Sequence, residues 1–314
     1  SRGLGDVYKR QNDTHSEFCF TLPTETNHST KAGGSMVQLS ENILHKVITK
    51  RPEISHKGTF GRAVLIGGDH QYGGAIIMSA EACIKSGAGL TTVITAEKNH
   101  APLHTRLPEA MVVDLSESQT IYDVLDTADV ILIGPGLGLA KEALMLLKYV
   151  LKNQKEDQWL VIDGSAITLF SEQELELKVA DHTIFTPHQA EWERLSGLTF
   201  VQQTDENNRA QQALLGARIV LKSHRTTIYD EAVAYYQNPL GNPGMATGGM
   251  GDTLAGMITG FLAQFEKNTD TIGAAVYLHS LIGDALAEKN YVVLPTAISE
   301  ALPHYMKKYA VERK

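Results

Sequence analysis

Short apolar runs punctuate the chain at Ala63–Ile66, Leu90–Thr95, Met111–Leu115, Val130–Ile133, Leu160–Asp163, Thr183–Phe185 and Arg218–Lys222. They are doubly apolar rather than alternating, which predicts strands buried on both faces. Helical spacing appears before them at 41–50 and between most of them at Ala75–Ser86, 119–128, 139–152, 188–196 and 204–216. Gly87 and Gly89 supply the stop after the second of these helices. Tyr229–Gln237 is rich in β-formers and predicts antiparallel structure at a sheet edge, and three helices, 251–265, 270–288 and 296–310, end the pattern. Strands alternating with helices predict an α/β fold with a mostly parallel central sheet covered on both faces.

Residues 1–35 break this rhythm. They are polar, with neither helical nor strand periodicity, and the stretch stops just before Met36. It has no basic start followed by an apolar core, as a secretory signal would, and its acidic residues do not suit a transit peptide. The expectation is a disordered or added extension over 1–35, a natural start at Met36, and one large domain over 36–314. Composition adds exclusions. The 314 residues are 43% apolar and 20% charged, with a net charge of −8, so a broad basic face for nucleic acid is not expected. No run of 18 apolar residues exists to span a membrane. Cys19 and Cys83 can form neither a disulfide framework nor, lacking nearby partners, a zinc site. These features suggest an intracellular protein without a metal site built from its own side chains.

Ligands of such sheets collect at the carboxyl ends of strands. Four clusters fall there: 67–75 (GGDHQYGGA), 134–138 (GPGLG), Asp163-Gly164 and 186–191 (TPHQAE); a fifth, 246–252 (ATGGMGD), opens a helix. One glycine cluster can be turn geometry alone, but five point to a nucleotide or phosphate site. No GxxxxGK[ST] occurs, and Leu139 stands where a dinucleotide fingerprint begun at Gly134 needs its third glycine, which excludes a P-loop and disfavours a Rossmann dehydrogenase. The amides of Gly248, Gly249, Met250 and Gly251 can converge on an anion at the positive end of the following helix. Asp252 is then placed either to start that helix or to take a proton from a hydroxyl attacking a phosphate. His188 suits a helix cap as well as a ligand contact, and Lys222, ending a strand, suits a solvated surface as well as a site.

The GGMGD segment at a helix start resembles the ribokinase-like superfamily. The ordered set HKGTFGRAVLIGGD, GGAIIMSAEACIKSGAGL, IGPGLG, TPHQAE, VLKSHRT and GNPGMATGGMGDTLAGMI resembles one branch of it, the ADP/ATP-dependent NAD(P)H-hydrate dehydratases, from about residue 40 to the C-terminus. The resemblance implies a three-layer α/β/α fold and dehydration of (6S)-NAD(P)HX to NAD(P)H, driven by ADP or ATP with Mg²⁺. It implies Asp252 as catalytic base, Ala75, Gly136, His188 and Asp252 on the hydrated nicotinamide substrate, and Lys222, Ser223, His224, Arg225, Thr226 and Gly251 on the adenine nucleotide. Ser223 stands where the family pattern has Gly, and 163–166 departs slightly from the common form. A cytoplasmic homo-oligomer, with a tetramer favoured, is also implied, and the apolar helices 270–288 and 296–310 could bury a shared face. The alternative is a ribokinase-like kinase for a sugar, vitamin precursor or other small alcohol. A non-catalytic nucleotide-binding protein is a third reading, against which the intact Asp252 and glycine loop argue.

Overall fold

The computed structural model describes residues 35–230 and 235–312. The expectation of disorder for 1–35 falls, Ser35 apart, outside the described residues. Ten strands form one sheet: β1 (Met36–Gln38), β2 (Arg62–Ile66), β3 (Leu90–Thr95), β4 (Met111–Asp114), β5 (Val130–Ile133), β6 (Trp159–Ile162), β7 (Thr183–Phe185), β8 (Arg218–Leu221), β9 (Thr227–Tyr229) and β10 (Tyr235–Gln237). Their order is β1-β10-β9-β8-β7-β6-β5-β2-β3-β4. From β8 to β4 all pairs are parallel, while β9 is antiparallel to both β8 and β10.

The antiparallel expectation for Tyr229–Gln237 is met by β9 and β10, but its edge position is not. β1 pairs parallel with β10 and forms the outer strand. Its three residues are all exposed, and Met36-Val37 is too short an apolar run to mark a strand.

The two faces of the sheet explain the apolar runs. Ala63, Leu65, Val130, Leu132 and Val161 face one core, and Val64, Ile66, Ile131, Ile133 and Ile162 the other. The first core is covered by α1 (Asn42–Val47), α2 (Gly73–Ser86), α3 (His100–Arg106) and, at the end of the chain, α9 (Met250–Gln264), α10 (Thr269–Ala287) and α11 (Pro295–Tyr309). The second is covered by α4 (Ser118–Asp126), α5 (Lys141–Asn153), α6 (Ser165–Glu172), α7 (Gln189–Ser196) and α8 (Asp205–Leu215). This is the three-layer α/β/α arrangement. Among the described residues, no helix is long and apolar enough to cross a membrane.

Strand order and one helix contact together shape a crevice. The sheet grows from β2 through β3 to β4 on one side, and from β5 through β6, β7 and β8 on the other, so its build-up reverses between β2 and β5. A crevice outside the carboxyl ends of the strands opens at such a switch. Above it, α9 lies directly on α2: a Cβ on Gly256 would overlap the Ser79 carbonyl, and one on Gly260 would sit 2.7 Å from the Cys83 carbonyl oxygen. Only glycine lets the two helix backbones approach so closely.

Candidate active site

Strand register brings the polar clusters to one rim. Ile66 pairs with Ile133, Ile133 with Ile162 and Ile162 with Phe185, so Gly67, Gly134, Asp163 and Thr186 leave the sheet side by side. His188 and Lys222 form a further parallel bridge, with the Lys222 amide donating to the Pro187 carbonyl at 2.8 Å.

At the switch point the 67–75 and 134–138 loops interlock. Gly68 N–H donates to the Pro135 carbonyl at 2.9 Å, and Asp69 N–H to the Gly136 carbonyl at 2.6 Å. Asp69 Oδ1 accepts from the amides of Gln71 and Tyr72 at 2.8 and 2.9 Å, fixing the start of α2. Gly136 has φ +60°, and a Cβ there would overlap the Tyr72 carbonyl and stand 3.1 Å from the Ala75 Cβ. Ala75 and Gly136, expected on one ligand, are therefore neighbours on one wall.

Opposite them stands the N-terminus of α9. Gly249, at φ +90°, is its N-cap, with no side chain bonded over the end. The first-turn amides, those of Met250, Gly251 and Asp252, have no carbonyl partner within the helix. A Cβ on Gly248 would meet nothing within 4 Å, so the loop faces open space where an anion fits. The Ser79 hydroxyl reaches the Asp252 carbonyl at 2.9 Å and the Ala75 carbonyl at 3.1 Å, linking the two walls through one oxygen.

Of the two readings of Lys222, the solvated strand end does not hold. Its side chain is 18% exposed, and its Nζ donates to Asp163 Oδ1 at 2.7 Å. The same oxygen accepts from the Thr186 hydroxyl at 2.6 Å. A Cβ on Gly251 would lie 3.0 Å from the Lys222 Nζ, so the ammonium supports the floor of the glycine loop. Burial alone would lower the Lys222 pKa, but attraction to Asp163, Glu191 and Asp252 overrides it and holds the pKa above its ordinary value. Asp252 is also pushed up, to about 6, first by burial and then by repulsion from Asp163, with Lys222 opposing and Glu191 adding to the rise.

The remaining expected residues lie further out. His188 caps α7: its Nδ1 accepts from the amides of Ala190 and Glu191 at 3.1 and 3.2 Å, and Glu191 returns a bond to the His188 amide at 2.8 Å. With Nδ1 accepting, the ring proton belongs on Nε2, 3.5 Å from Glu191 Oε1, and the side chain is still 55% exposed. His188 is thus both the cap and an open donor at the rim. Ser223, His224 and Arg225 are exposed at the tip between β8 and β9, where the Ser223 hydroxyl donates to the Arg225 carbonyl at 2.7 Å and Thr226 turns back into β9. The structure gathers Asp252, Gly251, Lys222, Ala75 and Gly136, and leaves 223–225 on the periphery.

Several participants were given no task by the sequence. Ser79 and Thr186 lie within the 73–90 and 186–191 motifs, but their tasks follow only from contacts across the fold. His279 hides in the apolar run of α10, buried and hydrogen-bonded to the Met250 backbone, its pKa lowered to about 4 chiefly by burial. A cavity of about 1350 Å³ is lined by Arg51, Lys85, Phe265 and Lys307 among others. It lies towards the C-terminal end of α9, about 18 Å along the helix from Asp252 at 1.5 Å per residue, and holds none of these groups. Among the described residues no three His, Cys, Asp or Glu side chains cluster as a metal cage; Asp163 is already engaged by Lys222 and Thr186. The side chains present do not fit a protein-held Mg²⁺.

The arrangement pairs a partly buried carboxylate with an unfilled helix N-terminus, the parts needed to deprotonate a hydroxyl during phosphoryl transfer. Comparison with known proteins agrees. The family profile described as NAD(P)H-hydrate dehydratase matches residues 63–304. A protein of Enterococcus faecalis named ADP-dependent (S)-NAD(P)H-hydrate dehydratase is 64% identical over 275 residues, covering 88% of this chain and 94% of its own. A crystal structure of a ribokinase-like superfamily protein from the same organism aligns with a TM-score of 0.87 and 62% identity, over 91% of this chain and 99% of that one. The ADP/ATP-dependent NAD(P)H-hydrate dehydratase of Bacillus subtilis, co-crystallized with ATP/Mg²⁺, aligns at 0.75 with 27% identity, over 86% and 97%. With its motifs, fold and relatives in agreement, this chain belongs to the NAD(P)H-hydrate dehydratase family.

Proposed function

We propose that this chain dehydrates (6S)-NAD(P)HX back to NAD(P)H at the expense of ADP or ATP, with ADP the donor named for its E. faecalis relative. The observation that carries the reading is Asp252 in the first turn of a helix whose N-terminus no side chain caps, its backbone carbonyl tied through the Ser79 hydroxyl to that of Ala75. Hydroxide is a poor leaving group, so the ring hydroxyl is first converted to a phosphoester. The hydroxyl oxygen attacks the terminal phosphorus, its proton passes to Asp252, and AMP leaves when ADP is the donor. The ring nitrogen's lone pair then expels phosphate, and loss of a ring proton restores the reduced nicotinamide. Met250 and Gly251 amides, with Lys222 beneath them, stabilise the moving charge, while Ala75, Gly136 and His188 orient the nicotinamide. Ser223–Thr226 border the nucleotide, and Mg²⁺ would come with its phosphates.

The test offers NADHX with ADP or ATP, and separately a panel of alcohols. The expected outcome is regained absorbance at 340 nm with no stable phosphoester. A stable phosphoester from an alcohol, with no NADH formed, would replace this reading by a kinase.

We also propose that the enzyme works in the cytoplasm, where its substrates arise, and as a homo-oligomer, with a tetramer favoured by the family resemblance. The apolar positions of α10 and α11 that suggested a shared face pack into the core of their own subunit, so this proposal rests on the resemblance alone. Sedimentation at the 34.3 kDa subunit mass would refute it.

A further inference from the structure

Three carboxylates, Asp163, Glu191 and Asp252, act on one largely buried ammonium, Lys222, and the ammonium is bonded to Asp163. A lysine bonded instead to Asp252 would occupy the oxygen that has to accept the substrate's proton. Asp163 is itself held by Thr186 through the same Oδ1, so its position does not depend on the lysine. We propose that Asp163 is a positioning residue that holds the Lys222 ammonium beneath Gly251 and away from Asp252, keeping the base free while leaving the cation facing the phosphoryl group. The inference rests on the reading of Asp252 as the base and adds a specific task for Asp163.

The surroundings of Asp252 make the effect readable. Its charged or titratable neighbours are Asp163 after β6, Lys222 after β8, Glu191 in α7, and His279 from α10, bonded to Met250. From α2 comes the Ser79 hydroxyl, and from α11 Pro295, 3.4 Å from where a Cβ on Gly249 would stand; neither is charged. Asp163 therefore acts on Asp252 in two ways of the same sign. Its own charge disfavours the Asp252 anion, and its hold on Lys222 withholds the cation that would favour it.

The experiment measures kcat/KM for NADHX dehydration against pH, with ADP, for the wild-type chain, Asp163→Asn and Lys222→Gln, each first checked for a cooperative melt. Asp163→Asn keeps size and the capacity to accept from Thr186. Its acid limb is expected to move to lower pH by about one pH unit, with the plateau down about ten-fold or more. Lys222→Gln removes the cation, and its limb is expected to move to higher pH. An unmoved limb in a folded Asp163→Asn variant, whatever the loss of rate, overturns the proposal. If that variant does not fold, Lys222→Gln decides alone: an unmoved or downward limb overturns it. Failure of the underlying reading looks different, since wild-type enzyme would then form no NADH, or Asp252→Asn would keep its activity.

Discussion

At Asp252, burial competes with the field of the helix it begins. The helix dipole favours the anion, from which an ionised carboxylate at neutral pH is expected. Desolvation wins the direction of the shift and lifts the pKa to about 6, yet at pH 7 the anion still prevails by about ten to one. In the proposed role, a base of pKa near 6 is better matched to its task than one near 4. Asp252→Asn is expected to lower kcat by about 10²–10⁴-fold, measured where chemistry limits the rate. The same substitution should raise stability. A carboxyl whose pKa rises on folding favours the fold below its unfolded value, and that benefit is lost as pH rises through about 6. The variant should therefore exceed wild type by on the order of 2–3 kcal/mol at pH 7.5, a few degrees in Tm, and lose this advantage near pH 4. Legibility is unequal at this scale. Ser79 and Thr186 sit in recognisable motifs just as Asp252, Gly251, Lys222, Ala75 and Gly136 do, but only the latter take a task from the sequence; Ser79 acts on a residue 173 positions away and Thr186 through a hydrogen bond to Asp163.

The contact between α2 and α9 holds the two walls of the site in register. A Cβ on Gly256 falls onto the Ser79 backbone, which cannot rotate aside as a side chain can. Gly256→Ala should force the helices apart and cost roughly 1–3 kcal/mol, the usual range for overpacking, read by denaturant unfolding. Because the Ser79 hydroxyl spans Ala75 and Asp252, kcat should fall as well, although residue 256 lies outside the pocket. Doubly buried strands were legible as elements because their apolar runs leave no second interpretation. α3 was hidden by Pro102 and two histidines within seven residues, and α6 by β-branched Ile167 and Thr168 in an eight-residue stretch. Pro102 is tolerated there because the first turn needs no intrahelical N–H. Such short helices are made by the layer they cover rather than by their own propensity.

Across the whole molecule, acid should weaken the fold through His279. Burial lowers its pKa to about 4 from an ordinary 6.5, so its contribution is complete above pH 6.5 and lost as pH falls through about 4. His279→Gln keeps a donor for the Met250 backbone and does not titrate. The wild-type protein should lose about 3 kcal/mol more than this variant between pH 7 and pH 4; parallel stability curves would show that His279 is not the group responsible. The layered architecture was legible from the alternation of runs, but strand order was not, because pairing between distant segments leaves no local trace. That order has a consequence for how the protein is made. Met36–Gln38 finds its partner in Tyr235–Gln237, about 200 residues later, an interval of ~10–40 s on a ribosome adding about 5–20 residues per second. For that time the nascent chain carries an unpaired strand, and a long apolar one would invite other chains. Three exposed residues offer little to capture, so the last seam of the sheet can wait for the end of synthesis.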